Sequence, residues 1–198
     1  LPILIKNNGY DSICHEHLTY FTLKQIKLLC RRNNLRVFKT SLNYMYGGSI
    51  RVFICHKEAK YKTNFKSISI CEKLEKKYIN FKYFNIFKKK IKILSNKLNK
   101  LVKTIKKKKK SIHVYAASTK GNVILQFCDL DHRYIKAAAD RNPGKWGSRT
   151  PGTGIPIISE EEAREASPDY FLALPWHFRE SFLRREKDFL QDGGHFIF

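Results

Sequence analysis

Beyond Lys110 the chain alternates short apolar runs with short amphipathic ones, and this alternation limits the fold more than any other feature. The pattern predicts a strand over 112–117, a helix over 120–128, a strand over 134–139 and a Pro- and Gly-rich loop over 140–156. A brief strand over 156–158, a helix over 160–165, a buried strand over 170–174, a helix over 177–190 and a strand over 195–198 follow. Strands that alternate with helices pair in parallel through right-handed crossovers. The expected fold class is therefore α/β, built on a parallel sheet.

The first 56 residues read differently. Thr22 is a plausible N-cap for a helix through Leu23, Ile26, Leu29 and Cys30, ended by Asn33-Asn34. A strand over 35–41, a turn at Tyr46-Gly47-Gly48 and a strand over 50–55 come next. Helix, strand, glycine turn and strand look like the closing edge of a larger sheet, which 56 residues are too few to build alone. From Glu72 the pattern changes. Phe84, Phe87, Ile91, Leu94, Leu98, Leu101 and Ile105 recur at steps of three and four with lysines between them. That spacing predicts an amphipathic helix of at least about 22 residues. Its stripe suits packing against the next domain, and a coiled-coil partner or a membrane surface would suit it as well.

A formal charge of +22 suggests a nucleic-acid binder until its distribution is read. Residues 57–110 hold 20 Lys and 3 Glu but no Arg, the residue that makes bidentate phosphate and base contacts. Residues 113–198 hold 11 basic and 12 acidic side chains. The excess belongs to one Lys-, Asn-, Ile- and Phe-rich segment. Drift toward residues with A/T-rich codons explains that composition; an electrostatic patch for RNA, DNA or an anionic membrane is the functional alternative. Five cysteines without a Cys-x-x-Cys pair fit reduced thiols in a cytoplasmic protein. No apolar run approaches the ~20 residues of a membrane span, so no membrane partner is expected. The chain begins Leu1-Pro2, and the expectation is that the polypeptide starts upstream.

In a parallel α/β sheet ligands sit beyond the carboxyl ends of the strands. Ser118-Thr119-Lys120-Gly121-Asn122 offers hydroxyls, an ammonium, a glycine and a helix N-terminus suited to phosphate. Asp140-Arg141-Asn142-Pro143 ends the next strand, where a ribose-binding acid would stand, and Pro175-Trp176-His177 ends a third. Asp140 and Asn142 can equally serve only to shape their loop. The fingerprint G-x-G-x-x-G is absent, so a nucleotide diphosphate held by Lys120 fits better than a nicotinamide dinucleotide. Cys14-His15-Glu16-His17 admits three readings: a metal site joined by Cys30, a turn with satisfied histidines, or a general base with a supporting carboxylate. The crowding of the ligands within four residues counts against the metal, and no metal site is assigned.

Tyr10-Asp11-Ser12-Ile13-Cys14-His15-Glu16-His17-Leu18-Thr19-Tyr20-Phe21 resembles the Tyr-His-Glu-His-Leu-Ser-Tyr-Phe signature of the sugar C-methyltransferase family. The likeness continues through Gly47-Gly48-Ser49-Ile50-Arg51-Val52, Tyr115-Ala116-Ala117-Ser118-Thr119-Lys120-Gly121-Asn122 and Asp140-Arg141-Asn142-Pro143-Gly144-Lys145. It runs on through Pro151-Gly152-Thr153-Gly154-Ile155-Pro156-Ile157 and Asp169-Tyr170-Phe171-Leu172-Ala173-Leu174-Pro175-Trp176. Cys14 stands where the family has Tyr, His177 where Asn is usual, and Gly154 where His is usual.

The resemblance implies S-adenosylmethionine-dependent methylation of a keto-sugar carried on a nucleotide diphosphate. It makes 1–56 the end of a methyltransferase domain, 57–111 a Lys-rich linker with the amphipathic helix, and 112–198 a Rossmann-like C-terminal domain. The glycine-rich loop for the methyl donor, and a zinc-binding segment, would lie before the residues seen here, and this chain alone would be inactive. By resemblance His17 is the general base, Glu16 its acidic neighbour and Cys14 a third catalytic position. His17 would remove the C3 hydrogen acidified by the 4-keto group, leaving an enolate that takes the methyl group. Ser118, Lys120, Gly121, Asn122, Asp140, Asn142, Trp176 and His177 would bind the nucleotide-diphosphate sugar. Nucleic acid is disfavoured as a partner. The rival is a non-catalytic nucleotide-sugar or nucleic-acid binding module that uses the Lys-rich helix.

Overall fold

A computed structural model describes residues 1–43 and 47–198. The chain divides into two compact units, one of 1–10 with 15–91 and one of 11–14 with 92–198.

In the first unit, α1 (Pro2–Asn7) precedes α2 (Leu23–Arg32), β1 (Leu35–Asn43), β2 (Ser49–His56) and α3 (Phe65–Tyr78). Thr22 caps α2 as its sequence predicts. Its hydroxyl accepts from Gln25 N, and the Gln25 side chain accepts from Thr22 N at 2.7 Å. The Glu75 carboxylate of α3 accepts from Leu23 N at 2.7 Å and from Lys24 N at 3.3 Å, placing negative charge at the start of α2. β1 and β2 form an antiparallel pair, and Leu23, Cys30, Val37, Ile68 and Cys71 make the core beneath them. Gly47 and Gly48 take the left-handed φ of a turn, while Tyr46 lies outside the described residues. α3 is absent from the sequence reading. Its buried apolar positions are only Ile68 and Cys71, with Leu74 half-buried, while Phe65 and Ile70 are exposed and blur the helical period.

The long helix α4 (Phe81–Lys107) spans 27 residues, more than its stripe demanded, and the boundary between the two units falls at Ile91 within it. In the second unit Ile105 of the stripe and its neighbour Val102 are buried in the main core with Leu98 packed against it, whereas Leu94 and Leu101, also read as stripe positions, are exposed. β3 (Ile112–Tyr115), α5 (Thr119–Phe127), β4 (Ala137–Ala139), β5 (Ile157–Ile158), α6 (Glu160–Glu165), β6 (Tyr170–Ala173), α7 (Arg179–Arg185), α8 (Lys187–Gln191) and β7 (His195–Ile197) follow. The sheet runs β5-β4-β3-β6-β7, parallel throughout, as the alternation required. Period-2 side chains separate its faces. Ile112, Val114, Ala138, Leu172 and Leu174 join α4 and α5 on one side, while Tyr115, Ala139, Phe171 and Ala173 join α6 and α7 on the other.

Three boundaries differ from those read in the sequence. The strand expected over 112–117 stops at Tyr115, because Ala116 turns to φ 72°. The strand expected from 134 starts at Ala137, since Tyr134 N and Ile135 N both bond Asp131 O in a turn. The helix expected over 177–190 is a 3-10 turn at Trp176–Phe178 followed by α7 and α8, broken at Glu186, which turns into the core at 2 % exposure. No helix among the described residues is long and apolar enough to cross a membrane.

Candidate functional site

The strand order reverses between β3 and β6, and open α/β sheets bind ligands at the carboxyl ends flanking such a reversal. Two loops meet there, one after Tyr115 and one after Ala173.

The loop after β3 is a tight device for starting α5. Ala116 adopts the left-handed region, and Ser118 N bonds Ala116 O at 3.0 Å. Ser118 Oγ then accepts from Gly121 N at 3.0 Å, so this hydroxyl is the cap of α5. Gly121 is a packing glycine. A methyl group added there would lie 3.1 Å from both Cβ and Cδ1 of Leu174, just past β6. It permits close helix–strand approach, a packing demand that the sequence did not reveal. Asn122 Oδ1 is enclosed with no hydrogen-bond partner among the described residues.

Half-buried Lys120 reaches out of this helix start. Its Nζ donates to Ser12 Oγ at 3.0 Å, across 108 positions of sequence. Ser12 ends a 3-10 turn, Tyr10–Ser12, and 11–14 belong to the C-terminal unit. Asp11, in the same turn, is buried. His177 sits on the short turn after β6, with the Trp176 ring edge-on to it at 5.8 Å. Burial, and then the Lys120 charge, hold the His177 imidazole below its usual pKa, with Asp11 opposing both. His177 is thus a neutral donor–acceptor at pH 7. Asp11, Ser12, Lys120 and His177 form one cluster, of one cation, one carboxylate and one neutral imidazole at a helix N-terminus.

Asp140 and Asn142 are engaged in their own loop. Asp140 accepts from Asn142 N at 2.9 Å and from Lys145 Nζ at 3.1 Å, while its carbonyl accepts from Trp146 Nε1 at 2.7 Å. Asn142 Oδ1 accepts from Gly144 N at 3.0 Å. Lys145 also donates to Ala117 O at 2.9 Å, tying the β4 loop to the β3 loop. Sequence reasoning missed Lys145; its place five residues after Asp140, across Pro143-Gly144, was the available signal.

Among the signature residues, Cys14 is half-buried in the C-terminal unit. His15, Glu16 and His17 are exposed in the N-terminal unit, where the His17 ring stands edge-on to Tyr20 at 6.5 Å. Among the described residues no three His, Cys, Asp or Glu side chains gather as metal ligands.

Residues 44–198 match the C-methyltransferase C-terminal domain family. The chain is similar to "C-methyltransferase NovU" of Streptomyces niveus, 32% identical over 195 residues. That alignment covers 98% of this chain and 46% of NovU, so the chain spans about half the length of the curated relative it matches. The parallel sheet and a family match over most of its length agree: this chain belongs to the C-methyltransferase C-terminal domain family.

Proposed function

We propose that this chain is the C-terminal part of an S-adenosylmethionine-dependent C-methyltransferase that acts on a keto-sugar carried by a nucleotide diphosphate. One observation carries the reading: the Lys120 ammonium at the capped start of α5, beside the strand reversal, engages the turn that opens the Tyr10-to-Phe21 signature. A helix N-terminus and an ammonium together attract a diphosphate. Neutral His177 and the partly exposed Trp176 ring offer a hydrogen bond and a flat apolar face beside it. On this reading His17 is the base that takes the proton α to the sugar ketone, and Glu16 steadies the imidazolium so formed.

S-adenosylmethionine supplies an electrophilic methyl group. The glycine at the start of α5 offers it no open backbone cradle, because it faces Leu174. The reading assigns the donor, and any zinc, to other parts of the parent protein.

Calorimetric titration of the full chain with dTDP and UDP tests the binding half. Binding that weakens at least tenfold in Lys120→Ala and changes little with salt supports it. Tight, steeply salt-dependent binding of homopolymeric RNA without dTDP or UDP binding defeats it, since counterion release marks a lysine-driven nucleic-acid contact. In a full-length parent, His17→Ala lowers methyl transfer by orders of magnitude; an unchanged rate removes His17 from the chemistry.

A further inference from the structure

The turn that delivers Ser12 to Lys120 also carries Asp11, whose setting is unusual. Asp11 is 6 % exposed, yet among the described residues no hydrogen bond or ion pair reaches its carboxylate. Burial strips a carboxylate of water, and folded proteins ordinarily compensate such a group with donors or a counter-charge. The imidazole that feels the Asp11 charge, His177, is itself held neutral at pH 7. At 6 % exposure Asp11 is nonetheless not fully enclosed. A strong acceptor therefore waits at the cluster without a donor.

The chemistry of that donor follows from the neighbours. An ionised carboxylate only accepts hydrogen bonds and repels phosphate. Lys120, bonded to the adjacent Ser12, marks where an anion would sit. A ligand that satisfies both must carry an anionic end and, next to it, a part rich in hydroxyl donors.

We propose that Asp11 is a specificity-determining residue, whose carboxylate accepts hydrogen bonds from the sugar hydroxyls of a nucleotide-diphosphate sugar gripped by Lys120. This rests on the nucleotide-sugar reading above and adds to it the group that selects the glycosyl half. Hydrogen bonds to an ionised acceptor are about twice as strong as neutral ones. A ligand without the hydroxyls leaves a buried charge unpaired, which is how polar sites discriminate most sharply.

Calorimetry on the full chain with two probes, dTDP and dTDP-glucose, decides it. The wild-type protein binds dTDP-glucose at least tenfold more tightly than dTDP. Asp11→Asn, which keeps the shape of the side chain, lowers that preference at least tenfold, whereas Lys120→Ala weakens both probes and keeps the preference. Equal wild-type affinities for the two probes overturn the assignment, with no folding question attached. A preference that survives in Asp11→Asn overturns it too, and leaves the nucleotide-sugar reading standing. Failure of both probes to bind the wild-type protein defeats that reading and this inference together.

Discussion

The Tyr115 hydroxyl donates to Glu186 Oε1 at 2.6 Å, joining the end of β3 to the break between α7 and α8. Arg164 donates to the same carboxylate at 2.7 Å, and Arg185 donates to the Tyr115 oxygen and, at 2.6 Å, to Glu160. Two side chains, Glu186 and Arg185, thus bond one buried phenol, and Arg164 and Glu160 bond those two in turn. Burial of the Tyr115 phenol, reinforced by its bond to Glu186, pushes its pKa up, so it stays a donor.

Removing the charge from Glu186 breaks this network. Burial alone would raise the Glu186 carboxyl, but hydrogen bonds from Arg164 and Tyr115 hold it below the usual value of 4.5. A depressed carboxylate contributes stability that is present above the unfolded value and lost as pH falls through the folded one. Glu186→Gln should therefore cost about 3 kcal/mol at pH 7 and flatten the acid loss of stability below about pH 4.5. Denaturant melts at pH 7 and pH 4 check both effects.

His113 should make the second unit sensitive to milder acid. It lies in β3 at 5 % exposure, with Nδ1 enclosed and unbonded among the described residues. Burial, then Lys136, lower its pKa. Below the unfolded value near 6.5 the unfolded chain takes a proton that the folded one refuses. Stability is complete above that pH and falls progressively from there to the folded value. His113→Leu should reduce the drop in thermal midpoint between pH 7 and pH 5, and an unchanged drop refutes the account.

Gly121→Ala tests the packing of α5 on β6. The new methyl group meets Leu174 Cβ, which no rotamer change can move, at 3.1 Å. Overpacking of this kind costs about 1–3 kcal/mol. The start of α5 should shift with it, so dTDP binding through Lys120 should weaken alongside the lost stability. Stability and binding equal to wild type would show that Leu174 gives way freely.

In the first unit, Glu75→Ala removes the carboxylate from Leu23 N and Lys24 N at the start of α2. The expected loss is about 1–2 kcal/mol, that of a helix cap plus its dipole charge. A melt following the N-terminal unit through its hydrogen-exchange protection would read it.

Periodicity and capping in the sequence determined the parallel α/β unit, the capped helix α2 and the long stripe of α4, because period-2 and period-3.6 burial leaves its mark locally. The same local signals located Lys120 at a helix start and Thr22 at another. What only the tertiary structure decided depends on residues far apart in the chain. Ser118 and Gly121, read as ligand groups, also cap and pack α5, with Leu174 lying against the glycine. The break at Glu186 is set by a buried phenol 71 positions away, against a helical pattern that ran straight through it. Asp11 stands in the signature stretch without a role of its own there, because burial without a donor is a property of the folded surroundings and leaves no trace in residue spacing.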